Sequence, residues 1–390
     1  MNFNDSIYFF QRGHEPLVYS HASAAVEPMS SVSGSAGTPP EGNVVLAAWG
    51  RLWVADFTAD KSTIYWSDLL QGHVWSGGSS GSIDISKVWP DGYDEITGLA
   101  ASNNFLIIFG KHSIVVYSGA NSPATMELSD TVSGIGLRCR CGIADTGTDL
   151  LFLSYDGLRS FGRTIQEKSL PIGDLSRNIK QDLLNAIAEE TQPVAIEYSP
   201  ENSFVVLLFR SQSLAFCFDV RGTLENGSYR VTRWPDLKLK ALHRDSDGTL
   251  YTGTVEGIGT YSTYTDNGQT FNMKYYSPNL TFNDPSRVKI LKKMKPTVIG
   301  GSGSTVSFKW GYDFSGSYRT FNTTLGSETT AEYGLAEFGI DSYSSGIIFS
   351  TVNINTTGNG SSVIVGVEAE ISKELSIQEV IIWTLIGKTV

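Results

Sequence analysis

A short aromatic or β-branched segment, a Gly, Asp or Asn turn, and a second such segment recur through the first two thirds of this chain. "GRLWVADFTADKSTIYWSDLLQGHVW", "ITGLAASNNFLIIFGKHSIVVYSGANSP", "TDLLFLSYDGLRSFGR" and "GTLYTGTVEGIGTYSTYTDNGQTF" each read as consecutive antiparallel strands. Strands of this length, bounded by turn residues and repeated along the chain, predict an all-β repeat architecture. The fold expected from that pattern is a β-propeller.

The 390 residues are enough for two domains whose cores need no covalent staple. Forty Gly with 19 Phe, 17 Tyr and 8 Trp suit β structure, where Gly serves turns and aromatics pair across strands. Cys139, Cys141 and Cys217 are too few for a disulfide framework, and on a strand Cys139 and Cys141 would share a face and pair poorly. That usage fits a chain folded in a reducing cytoplasm, and a lone CxC does not make a metal site. The chain shows neither an apolar run long enough to span a membrane nor an export signal. A net charge of −11 argues against the protein wrapping nucleic acid tightly, although an acidic wall would let DNA pass without holding its phosphates.

Along the chain, "DSIYFFQRGHEPLVYS" reads as two strands about a turn at Gly13, followed by a Ser/Gly/Pro-rich loop to Glu41. An N-terminal strand of this kind is expected to complete the last blade of a closed propeller. Residues 43–75 supply three strands, "SGGSSGS" a flexible loop, and residues 95–119 three more, with Asn103–Asn104 in a tight turn. Within 174–190, Leu175, Ile179, Leu183 and Ile187 fall four apart after Asp174, which predicts one amphipathic helix capped by that residue. Near residue 275 the turns lengthen and Thr, Ser and Asn dominate. The organisation expected is a β-propeller domain over 1–275 and a β-sandwich-like domain over 276–390.

Chemical motifs are sparse. "YTDNGQTF" (264–271) approaches the Asp-box turn, with Asp266 capping and Phe271 directed into the core, and "SDLLQGHVW" (67–75) is a looser version. Asp91, Asp94 and Glu95, or Asp245 and Asp247, are the carboxylates a glycoside hydrolase would need, but Asp with Gly more often builds turns. His14, His21, His73, His112 and His243 are scattered, "GSGS" (301–304) lacks the Lys of a phosphate loop and reads as a hairpin, and no Ser sits in a G-x-S-x-G elbow. The sequence therefore assigns no catalytic, cofactor or metal residue. Its one dense basic stretch, "SRVKILKKMK", carries Arg287, Lys289, Lys292, Lys293 and Lys295, of which Arg287, Lys289, Lys293 and Lys295 would share a strand face. That face could meet DNA phosphates or an acidic partner, or could be a solvated sheet edge guarded by lysines.

The order of "SIYFFQRGHEPLVYS", "RLWVADFTADKSTIYWSDLLQGHVW", "ITGLAASNNFLIIFGKHSIVVYSG", "LLFLSYDGLRSF" with "DLSRNI", "KMKPTVIGGSGSTVSFKWGYD" and "SSVIVGVEAEISKELSIQEVIIW" resembles the tail nozzle proteins of short-tailed bacteriophages. These are also called packaged-DNA stabilisation or tail tubular proteins. The resemblance covers most of the chain and lies in organisation. It implies a non-enzymatic, cofactor-free virion protein, assembled in the host bacterial cytoplasm into a homohexameric ring below the portal and adaptor. Such a ring retains packaged double-stranded DNA, conducts it without sequence readout, and meets a tail needle or tip and tailspike or fibre proteins. Two other readings stand beside it. One is a carbohydrate-binding or glycoside-cleaving propeller, suggested by Trp49, Trp53, Trp66 and Trp75. The other is a cellular propeller scaffold.

Overall fold

The computed structural model describes residues 1–21, 24–168, 174–235, 238–262, 264–266, 268–326 and 349–389. The chain divides into two compact units, Met1–Tyr261 and Ser262–Val390.

The first unit is a succession of six antiparallel sheets, each a meander of strands in chain order. The first sheet holds Asn2–Phe3, Ser6–Gln11, His14–Ser20 and Ala25–Pro28, and the second Val44–Ala48, Arg51–Ala55, Thr63–Trp66 and Gly81–Asp84. The third runs through Ile96–Ser102, Phe105–Gly110, Ser113–Ser118 and Glu127–Ser133. Ile143–Asp145, Leu150–Ser154 and Gly157–Ser160 make the fourth. The fifth is Ala195–Ser199, Phe204–Phe209, Leu214–Thr223 and Tyr229–Trp234, and the sixth Ala241–Arg244, Leu250–Gly253 and Ile258–Thr260. First strands of the second and third, fourth and fifth, and fifth and sixth sheets lie side by side, as blades of a β-propeller do around their axis.

The cores lie between consecutive sheets, which explains why several strands are apolar without alternation. Val205, Leu207 and Phe209 point toward the fourth sheet, while Val206 and Leu208 face the other way toward Leu250 of the sixth. In the third sheet Leu106 and Ile108 join Trp53 and Trp66, whereas Ile107 and Phe109 meet Phe152. A strand buried on both faces requires a continuous apolar run. The turns follow from local chemistry: Asn103 and Asn104 both take positive φ, +46° and +66°, the geometry of a two-residue hairpin loop that Asn tolerates.

Four features depart from the sequence expectations. The N-terminal strands form their own sheet and complete no other, so they are a first blade and not a latch. The Gly/Ser loop after Trp75 leads into a fourth strand, Gly81–Asp84, paired with Thr63–Trp66. There are two α-helices among the described residues. Helix α1 (Phe161–Glu167) begins where a strand was expected to continue, because Ser160 caps it by accepting from the Arg163 amide. Helix α2 (Lys180–Glu189) starts six residues after Asp174, which is buried and binds the Ser176 amide and hydroxyl at 2.9 and 2.7 Å, capping a turn and no helix. Leu183 and Ile187 do face the core as the spacing implies, alongside Leu175.

The second unit is a β-sandwich. One sheet orders Phe271–Tyr276, Val363–Ile371, Thr305–Tyr312 and Arg319–Thr324. The other is organised around Arg287–Gly300, paired along its length with Leu375–Thr389 and along its opposite side with Phe349–Thr351, Ile354–Asn355 and Asn359–Gly360. Leu291, Met294 and Val298 of this sheet share one core with Phe308, Trp310, Val365 and Val367 of the other. Phe271–Tyr276 thus belongs to the sandwich, and the boundary falls ahead of the residue 275 region marked by composition. The "GSGS" turn passes between sheets instead of closing a hairpin, since Arg287–Gly300 and Thr305–Tyr312 do not pair.

Candidate interaction face on the long strand pair

The basic stretch singled out in the sequence lies on Arg287–Gly300, and the structure divides it. Lys289 is fully buried, its Nζ donating to the carbonyl oxygens of Arg287 (2.7 Å) and Asp284. Arg287 is exposed, with Nε 3.3 Å from Asp284 Oδ2. Register shifts between Leu291 and Lys293, and Lys292 stands at that bulge, exposed and out of the pairing with Leu375–Thr389. Lys293 and Lys295 then fall on the open face while Met294 and Pro296 point inward. The expectation that Lys289 shares a face with Lys293 and Lys295 is therefore corrected, because strict alternation does not survive the bulge. The edge-strand reading is corrected as well, since the strand is paired on both sides.

Across the pair, Lys293 is opposite Trp383 and Lys295 opposite Ile381. Trp383 is 44 % exposed, and Lys293 Nζ sits 5.5 Å from its ring centroid, within cation–π range. Ile381 and Leu385, two residues either side of Trp383 and so on its face, extend the exposed apolar strip. The result is a row of cations, Lys292, Lys293 and Lys295, beside one exposed indole and several aliphatic side chains. Such a face can hold an anionic partner by charge and add contact area through the indole. Trp383 carried no signal in the sequence, because only the register across the two strands brings it to the lysines.

The other sequence candidates resolve into structural roles. Asp94 is buried and accepts the amides of Glu95, Lys111 and His112 at 2.8 to 3.0 Å. Asp91 accepts from the Ser133 hydroxyl, Asp245 from the Ser246 amide and Asp247 from the Thr249 amide, while Glu95 is ion-paired with Lys111 at 2.7 Å. Trp53 and Trp66 fill the core between second and third sheets, with Trp49 packed against it. Asp68 accepts the Ser79 amide and hydroxyl, which hold its carboxyl below the usual range, and so ties the 67–75 turn to the loop that follows it. In the second Asp-box-like stretch, Asp266 and Gln269 pair across a turn, Asn267 is outside the described residues, and Phe271 is 44 % exposed instead of entering a core. Cys139 and Cys141 lie in a turn and all three thiols are free. Among the described residues no cluster of metal-ligating side chains is present and no helix is long and apolar enough to cross a membrane.

A cavity of about 420 Å³ opens between the first and second sheets. Ser6, Tyr8, Ser20 and Glu27 line it from one face of the first sheet, and His73 from the loop opposite. Burial lowers the pKa of His73 and raises that of Tyr8, so both are neutral at pH 7.

No family model matches the chain, and no curated protein does. Among solved structures it is similar to a protein from Lactobacillus plantarum, at 12 % identity and TM-score 0.38, over 83 % of this chain and 97 % of that one. Kluyveromyces lactis Hsv2 is similar at 12 % identity and TM-score 0.35, over 60 % of this chain and 72 % of its own. A form of that protein with loop 6CD replaced by a Gly-Ser linker gives 9 %, 0.36, 64 % and 72 %. Likenesses this distant carry no argument about function, and the propeller assignment rests on the succession of sheets described above.

Proposed function

We propose that this protein is a non-enzymatic structural component of a short-tailed phage virion, a tail nozzle subunit that assembles into a six-membered ring and surrounds exiting DNA. The observation that carries the reading is exposed apolar surface on the first and the sixth sheets of the first unit. Ile7, Phe9, Leu17 and Val26 share one face of the first sheet and are 40, 50, 41 and 56 % exposed. In the sixth sheet Ile258 is 84 % exposed, and Val255 in the preceding turn 78 %. An apolar face on the first sheet and a different exposed apolar hairpin tip on the last are satisfied by head-to-tail association, the arrangement that closes into rings. The lysine and tryptophan face of the sandwich serves as a contact for DNA phosphates or for an acidic neighbouring subunit. The portal, adaptor, needle and tailspike contacts follow from the resemblance in element order.

Native mass spectrometry of the purified chain, alone and with adaptor, tests the assembly. A hexamer supports the reading, and a monomer under both conditions contradicts it.

The saccharide reading keeps one supporting observation, the hydroxyl- and carboxylate-lined cavity at Glu27 and His73. Titration of a glycan panel against wild type and Glu27→Gln separates it from the nozzle reading. Of the tryptophans that suggested sugar stacking, Trp53 and Trp66 are buried, and Trp49 and Trp75 are partly buried.

A further inference from the structure

Arg159, on the strand Gly157–Ser160, has a side chain only 4 % exposed. Its Nη2 lies 3.4 Å from Asp156 Oδ2, at the outer limit of a hydrogen bond, and Asp156 is itself largely in solvent. Nε and Nη1 are buried and have no protein acceptor. Arg51, the other deeply buried arginine, is better satisfied: its Nη1 donates to Ser67 O at 2.8 Å and its Nη2 to Ser79 Oγ at 2.8 Å, leaving Nε alone unpaired. A guanidinium cannot shed its charge, so a buried one with unmet donors is costly unless an acceptor answers it.

Arg159 lines a cleft of about 70 Å³, several times the roughly 10–15 Å³ that admits one water. Lys111 and His112, from the turn between two strands of the third sheet, Ser154, Tyr155 and Asp156 of the fourth, and the segment 134–136 complete its wall. His112 stacks on Tyr155, ring centroids 5.5 Å apart, and the Arg138 guanidinium lies 5.2 Å from the Tyr155 centroid. The buried carboxylates nearby are engaged elsewhere, since Asp94 accepts the Lys111 and His112 amides and Asp174 accepts from Ser176, while Glu95 is tied to the Lys111 ammonium. With Lys111 answered by Glu95, Arg159 is the lining cation with unmet donors, and Asp156 is the carboxylate on the wall beside it.

We propose that this cleft binds a small inorganic oxyanion of phosphate or sulfate size, with Arg159 as its principal ligand and Lys111 and His112 at the rim. Each two-donor edge of the guanidinium combines Nη2 with Nε or with Nη1, so an oxyanion on one edge takes one of the two unpaired donors together with the second N–H of Nη2, and supplies an acceptor that the protein does not. The site is independent of the lysine and tryptophan face and of the assembly reading.

The test is thermal unfolding of the full chain titrated with inorganic phosphate at constant ionic strength, chloride replacing phosphate in the control. The expected result is a saturable rise in melting temperature for wild type, with apparent affinity at least tenfold weaker in Arg159→Met and partly kept in Arg159→Lys. Equal responses to phosphate and chloride, or an unchanged response in Arg159→Met, overturn the proposal. Should Arg159→Met not fold, crystals of wild type grown with sulfate decide. Sulfate within hydrogen-bond distance of the Arg159 guanidinium supports the site, and water alone at that position overturns it.

Discussion

Lys293 Nζ lies 5.5 Å from the centre of the Trp383 ring, across the two longest strands of the second unit. If this face meets phosphates, each lysine that displaces a counterion contributes about 0.9 to the slope of log affinity against log salt. Replacing Lys292, Lys293 and Lys295 together by Ala is expected to weaken duplex binding and flatten that slope by roughly 2–3. Fluorescence anisotropy with a labelled duplex at several salt concentrations measures it, and an unchanged slope removes the face from DNA contact.

Lys289 should behave in the opposite way. Its ammonium is enclosed and committed to two backbone carbonyls, so Lys289→Met leaves those oxygens without a donor. The expected cost is about 1–3 kcal/mol of stability by urea unfolding, with the salt slope of duplex binding unaltered.

Two tryptophans make a second contrast. Trp53 has no exposed surface and sits between Trp49 and Trp66, with ring centroids 5.9 and 5.5 Å away. Trp53→Ala should cost about 3–5 kcal/mol, whereas Trp383→Ala on the open face should stay within about 0.5 kcal/mol. Denaturant unfolding of both variants checks the pair.

Glu197 lies on the first strand of the fifth sheet, where burial raises its pKa above the ordinary carboxylate value against the opposing pull of Arg244 and His243. Because the folded pKa is the higher one, folding favours the protonated form, and stability is lost as pH rises from the unfolded value through the folded one. Glu197→Gln should therefore raise the melting temperature at pH 7. That advantage should shrink as pH falls and disappear below about 4.3, the unperturbed value for Glu. A stabilisation independent of pH would show that the carboxylate charge is not its source.

Cys217 is buried at 6 % exposure and its pKa is pushed up to about 12. It should resist iodoacetamide in the native state at pH 8 and react only on unfolding, since the thiolate is the nucleophile. Peptide mapping after timed alkylation reads this directly.

Much of the fold was legible because strand and turn signals are local. The Asn103–Asn104 turn, the double-sided apolar run Phe204–Phe209 and the Leu183 and Ile187 face of α2 all stand in the sequence. What was hidden depends on pairing. The bulge at Lys292 moves Lys293 and Lys295 away from Lys289, and no spacing rule announces it. Likewise, Trp383 reaches Lys293 from ninety positions away through a register that only the folded sheet defines. The capping role given to Asp174 failed because Ser176 offered it a nearer amide and hydroxyl. The Arg159 cleft had no signal at all, since its walls come from separate turns of two sheets.

The nozzle assignment is tested most directly by peptide mass spectrometry of purified virions from cells producing this chain, with its copy number scaled to the major capsid protein. The account predicts roughly six copies per particle, as a single cyclic ring requires. Complete absence of its peptides from purified particles would contradict it.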